Sequence, residues 1–188
     1  TTDTGRVITA ARAAGSGTLQ GTLTATTANG VASFTNLSHN VATTITINFT
    51  SGSLTGTNSG NIIVSPAAFT KLQLLVPGET AAPGTGTGKS GTPNAQSVFT
   101  PFNVTVNAVD NNWNLVGSVS HTVGITTTDS TATLPANAAL SAGTQSFVVT
   151  FNTNGNFTIT ATDVSDGTKT NNTSPSITVN AVQFTKAT

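Results

Sequence analysis

The chain has 188 residues, with six basic and six acidic side chains and a formal net charge of zero, so charged residues make up only 6% of it. That sparse charge excludes phosphate neutralisation on nucleic acid and electrostatic attraction to an anionic membrane. Cysteine is absent, which removes disulfides and thiol chemistry, and no apolar run approaches the roughly 20 residues needed to cross a bilayer.

Solubility has to come from Thr, Asn, Ser and Gly, a mixture that favours strands and tight turns over helices. In chain order, a turn at Asn29-Gly30 precedes the alternation Ile45, Ile47, Phe49, and a short apolar strand follows at Ile62-Ile63-Val64. Pro66 then denies a ladder donor and closes the first unit. The next strand is expected over residues 71–76. Residues 77–97 are rich in Gly, Thr, Pro and Ala with few apolar anchors, and are expected to form a long mobile loop.

Beyond it, Phe102, Val104, Val106 and Ala108 alternate with Asn103, Thr105 and Asn107, so one face is core and the other wet. Similar patterns recur at Phe147, Val149, Phe151 and at Phe157, Ile159, Ala161, with turns at Asn154-Gly155 and Asp166-Gly167. No stretch has a helical period with caps. Strands with one apolar face must cover it with another such face, which predicts an all-β fold of packed antiparallel sheets.

Phe69-Thr70-Lys71 returns 115 residues later as Phe184-Thr185-Lys186, each time after a short apolar strand. Phe34 with Phe147, and Ser51-Gly52-Ser53 with Asp166-Gly167-Thr168, agree with that offset to within a residue or two. Repetition at domain length predicts a tandem array. The expected division is an N-terminally incomplete sandwich over residues 1–65, a complete one over 66–180, and over 181–188 the first strand of a following repeat or a donor strand.

The run Val104-Thr105-Val106-Asn107-Ala108-Val109-Asp110-Asn111-Asn112-Trp113-Asn114 resembles the strand and turn of bacterial immunoglobulin-like repeats, including those of the invasin and intimin type. In that pattern an Asp closes the strand and Gly-Asn forms the turn; here Trp113 stands where Gly is expected. The segment Asn29-Gly30-Val31-Ala32-Ser33-Phe34-Thr35-Asn36-Leu37 is similar to another recurrent segment of such proteins. The resemblance implies tandem immunoglobulin-like sandwiches joined by a short linker, in a cell-surface or secreted protein that serves as stalk or adhesive arm.

Candidate chemistry is thin. Gly84-Thr85-Gly86-Thr87-Gly88-Lys89-Ser90 has the glycines, Lys and Ser of a phosphate loop, but Pro83 sits where the first Gly belongs and Gly91-Thr92-Pro93 replaces the following helix. His39, expected in a turn, and His121, expected on the strand face of Val119, Val123 and Ile125, have no nucleophile or carboxylate at telling spacing. Asp110, Asp163 and Asp166 fall at strand ends, where turn capping competes with calcium binding, and six acids are few for calcium. Lys71, Lys186 and Asn180 have the residue types of a Lys–Asn crosslink, without an evident carboxyl partner, and Ser65 replaces Asn180 in the first unit. Trp113 offers an indole for stacking on a sugar or for packing on the sandwich end.

Thr-x-Thr runs such as Thr158-Ile159-Thr160 have the pattern of ice-binding rows but equally of any half-exposed strand, and sandwich sheets twist. Asn36, Asn48, Asn103, Asn156, Asn171 and Asn172 begin Asn-x-Ser/Thr triplets. No catalytic, cofactor or metal residues are assigned. The expected role is a non-enzymatic extracellular repeat segment of a prokaryotic surface protein, acting as stalk, adhesive arm or fibre, whose partners are neighbouring repeats or copies of itself, with no nucleic acid and no membrane insertion. Two alternatives remain: a filament subunit whose residues 181–188 complete a neighbour's first sandwich by strand addition, and a carbohydrate-binding module for a surface glycan.

Overall fold

Among the described residues every regular element is a β-strand, as the period-two alternation requires. The computed structural model describes residues 2–182. The chain divides into two units, Thr1–Pro66 and Ala67–Thr188. The donor strand expected within 181–188 falls almost wholly on residues 183–188, outside the described ones.

Unit 2 contains β8 (Lys71–Leu75), β9 (Glu79–Ala81), β10 (Lys89–Gly91), β11 (Gln96–Ser97), β12 (Phe102–Val109), β13 (Thr122–Thr127), β14 (Ala138–Ala139), β15 (Thr144–Val149), β16 (Gly155–Phe157), β17 (Ile159–Asp163), β18 (Asn172–Thr173) and β19 (Ile177–Asn180). One sheet runs β15-β12-β8, another β14-β13-β17-β18, and β19 joins β11 to β16. The alternating positions of β12 bury completely or nearly so, with Val104, Val106 and Ala108 at 0% exposure. They form one core with Leu72, Leu74, Phe147, Val149, Phe151, Ile159, Ala161, Ile177 and Val179 from the other ladders. This is the all-β sandwich that the alternation predicts, and each such side chain contributes about 1.5–3 kcal/mol by leaving water.

Unit 1 contains β1 (Val7–Ala14), β2 (Leu19–Gln20), β3 (Thr24–Thr26), β4 (Ser38–His39), β5 (Thr44–Ser51), β6 (Leu54–Asn58) and β7 (Ile62–Ile63). Its main sheet runs β3-β1-β5-β6, with β7 also pairing β5, and a small β2-β4 ladder stands apart. His39, expected in a turn, is therefore a strand residue, held by its pairing with Leu19. The buried core is small: Ala10, Leu19, Ile45 and Ile47, with Phe34, Leu37, Phe49 and Val64 packed against it.

The two units share strand order and register. The sheet β3-β1-β5-β6 of unit 1 repeats as β14-β13-β17-β18 of unit 2. The pairs Arg12↔Ile47 and Ala10↔Phe49 correspond to Thr127↔Ile159 and Ile125↔Ala161. The pair Asn48↔Asn58 corresponds to Thr160↔Thr173, and Ile45↔Ile62 to Phe157↔Ile177. Even a side-chain link recurs, since Ser59 Oγ accepts from the Ile47 amide at 2.9 Å and Ser174 Oγ from the Ile159 amide at 3.0 Å. This register matches Ser51 with Asp163 rather than with Asp166, because unit 2 has a longer turn after β17.

Residues 77–97 are not the mobile loop that their composition predicts. β9 and β10 pair antiparallel, with Lys89↔Ala81 and Gly91↔Glu79, and β11 pairs in parallel with β19. Few apolar residues anchor this hairpin because its anchors are polar. Lys89 Nζ donates to Glu79 Oε2 at 3.1 Å and to the Leu74 carbonyl at 2.8 Å.

Phe151→Ala removes the largest fully buried side chain of unit 2. It is expected to destabilise that unit by about 3–5 kcal/mol, and calorimetry of the full chain should show the transition of unit 2 lowered while that of unit 1 stays in place.

Candidate functional site

The end of β12 carries the densest group of polar and aromatic side chains. Asp110 follows the strand and is 1% exposed. Its Oδ1 accepts from the amides of Asn112 at 2.8 Å and Asn114 at 3.0 Å, and its Oδ2 from the Ala67 amide at 2.9 Å and Asn114 Nδ2 at 3.0 Å. Burial pushes the Asp110 carboxyl up, but the hydrogen bonds from Asn114, Ala67 and Asn112 together outweigh it and hold the group below its ordinary value.

That turn places Trp113 at φ 67°, the left-handed region where Gly is expected. Two contacts compensate. Lys71 Nζ lies 3.5 Å from the centre of the Trp113 ring, a cation–π contact, and donates to the Asn111 carbonyl at 2.9 Å. The ring also lies against Gly88, where any Cβ would collide with it. Burial pushes the Lys71 ammonium down from its usual value, only partly opposed by the Asp110 charge. The indole is thus packed on the Gly84–Gly88 segment, and Lys71 is engaged at Asn111 and Trp113 rather than at Asn180.

The glycine-rich segment is occupied by its own chain. The Gly84 amide donates to the Asn112 carbonyl at 2.7 Å and the Gly88 amide to Thr85 Oγ1 at 3.0 Å. Lys89 is committed to the nearly buried Glu79, with side-chain exposures of 12% and 2%. Beneath the hairpin, Gln73 is 1% exposed and donates to the Gly88 carbonyl. Its Oε1 accepts from Asn107 Nδ2 at 2.9 Å, and Asn107 Oδ1 accepts from Thr144 Oγ1 at 2.7 Å. This neutral chain crosses β8, β12 and β15 and satisfies the polar face of the sheet.

His121 does meet a carboxylate, one brought from 42 residues away: its Nδ1 lies 2.8 Å from Asp163 Oδ2, and its ring stands edge-on to Phe69 at 5.4 Å. Asp163 Oδ1 accepts from the amides of Ser165 and Asp166, so the pair closes a turn. Asp166 accepts from the Thr168 hydroxyl at 2.7 Å and amide at 2.9 Å; these bonds and Lys169 lower its carboxyl to about 2. Asp129, which no sequence argument singled out, repeats that geometry with Thr131 at 2.7 and 2.9 Å and adds the Asn152 and Thr153 amides. Burial pushes Asp129 up, and these bonds more than reverse it. The shared signal is Asp-x-Thr, legible in the sequence at both places. Among the described residues no group of three or more His, Asp or Glu is arranged to hold a metal, and no helix is long and apolar enough to cross a membrane.

No family model matches the chain, and no curated protein matches it in sequence. Among solved structures, the chain is similar to one described as the D0-D1 domain of intimin, with 12% identity, 93% of this chain and 81% of that chain covered, and a TM-score of 0.40. At that identity and score, function has to be argued from the residues of this chain.

Two outcomes follow from the site. Glu79→Gln leaves the Lys89 ammonium without its counter-charge in a nearly dry position, and is expected to lower the stability of unit 2 by about 3–5 kcal/mol in denaturant titrations. Because Asp110 and Asp129 have lowered carboxyl values in the fold, their stabilisation is present above the ordinary carboxylate pKa of about 3.9 and is lost as pH falls through the lowered values. Thermal melts should therefore fall below about pH 4, and Asp129→Asn should melt lower than the parent near neutrality but converge on it in acid.

Proposed function

We propose that this chain is a non-enzymatic, extracellular repeat segment of a prokaryotic surface protein that acts as stalk, adhesive arm or fibre. One observation carries the reading: two units in succession share strand order, register and the Ser59–Ile47 and Ser174–Ile159 links. Serial repetition of one sheet architecture turns domain size into length, which is a mechanical task.

The side chains available for chemistry support the same reading. Lys71, Lys89, Asp110, Asp129 and Asp163 all bind backbone groups or close turns. A near-neutral surface dressed in Thr and Asn suits an exposed stalk, and the exposed Asn36, Asn103, Asn156 and Asn171 offer glycan acceptors where the host has the machinery. The carbohydrate-module alternative finds no support at Trp113, whose ring is engaged by Lys71 and Gly88.

Pulled from its two ends in a force instrument, the full chain should resist extension and then unfold in two discrete steps, the longer from unit 2. Featureless extension at low force would contradict a load-bearing role. On a glycan array the chain and its Trp113→Ala variant should give the same background signal; saturable binding that disappears with Trp113→Ala would replace the stalk with a binding module.

A further inference from the structure

Tension that reaches unit 2 through the preceding chain arrives at Ala67, the first residue of that unit. Ala67 is exposed and lies in no strand, yet its amide is held, donating to Asp110 Oδ2 at 2.9 Å from 43 residues away in sequence. Further along, the Thr70 amide donates to the Val109 carbonyl at 3.0 Å and the Thr70 carbonyl accepts from the Thr170 amide at 3.2 Å. The Leu72 amide then donates to the Thr170 carbonyl at 2.9 Å. β8 is therefore gripped on both sides, by β12 through the pairs Val109↔Lys71 to Thr105↔Leu75 and by the segment at Thr170.

The pairing of β12 with β8 ends at Val109↔Lys71, and the Asp110 side chain carries the hold of β12 outward to Ala67. Asp110 is 1% exposed. Its carboxylate is fixed in place, because Oδ1 accepts from the Asn112 and Asn114 amides and Asn114 Nδ2 donates to Oδ2. The turn that carries it is anchored in its own right. The Asn112 carbonyl accepts from the Gly84 amide at 2.7 Å, Lys71 Nζ donates to the Asn111 carbonyl, and the Trp113 ring lies against Gly88. This closure holds Trp113 at φ 67°, a strained conformation that persists where the surroundings over-determine it.

We propose that Asp110 is a force-bearing clasp, its buried carboxylate pinning the Ala67 amide so that tension on the preceding chain loads the bonds of β8 together. Antiparallel ladder bonds lie perpendicular to the strands. A strand pulled along its axis with its end held strains them all at once, whereas a strand with a loose end peels away one bond at a time. A hydrogen bond to a carboxylate is about twice as strong as one between neutral groups, which suits the bond that takes the load first. The clasp rests on the stalk reading, since without tension Asp110 is a turn cap and nothing more.

The test holds the full 188-residue chain at constant force through handles on paired cysteines, which its cysteine-free sequence allows. Handles at S65C and A181C load unit 2 through Ala67. Handles at S146C and G167C load it across its two sheets and bypass Ala67. All four positions are exposed. Ala67→Pro deletes the donor and leaves the Asp110 bonds to Asn112 and Asn114 in place, while Asp110→Asn weakens the acceptor and keeps the test decisive should the first variant fail to fold. With the first handles, Ala67→Pro should shorten the lifetime of folded unit 2 about tenfold or more. With the second it should leave the lifetime within about twofold of the parent. Asp110→Asn should shorten the lifetime in both geometries, and more with the first handles. Variants that match the parent with the first handles, or that shorten the lifetime equally in both geometries, would overturn the clasp alone. Featureless extension of the parent would overturn the stalk and the clasp together.

Discussion

Everything in unit 2 depends on covering the alternating apolar face of β12. Val104, Val106 and Ala108 reach 0% exposure only because ladders from both sides of the sandwich converge on them. A Thr-rich chain has little apolar area to spend, so its core must be continuous rather than large. Unit 1 shows the converse. The same sheet, in the same register, has among the described residues a smaller buried cluster of Ala10, Leu19, Ile45 and Ile47 and leaves Ile62 and Ile63 exposed.

With so few charges, polar satisfaction falls to neutral hydrogen bonds and to buried carboxylates that serve the backbone. Asp110, Asp129 and Asp163 each cap a turn by accepting amide hydrogens. The line from Gly88 through Gln73 and Asn107 to Thr144 does for the outer sheet face what apolar packing does for the inner one. Such networks specify a single arrangement because a half-made one leaves buried groups unpaired.

Much of the fold was legible in the sequence. The periods at Phe102–Ala108, Phe147–Phe151 and Ile45–Phe49 give strands whose apolar members enter the core, and the Asp at each strand end acts as a turn cap. Three things were not legible. The hairpin β9-β10 lacks apolar anchors, and its anchor is an ion pair between residues ten apart in sequence whose burial no composition reveals. Asp163 and His121 meet from 42 residues apart, so neither side chain carries a local sign of the other. Trp113 sits in a polar turn where sequence reasoning permits either an exposed platform or a packed ring.

The sequence by itself determined that the chain is all-β, that its strands alternate, and that its second half repeats features of its first, because period-two patterning and turn residues are local properties of the backbone. Only the tertiary structure decided that the glycine-rich stretch folds down over Gln73, that Trp113 is spoken for by Lys71 and Gly88, and that His121 closes a turn with Asp163. Those outcomes rest on which distant surfaces meet, and contacts between distant surfaces leave no period in the chain.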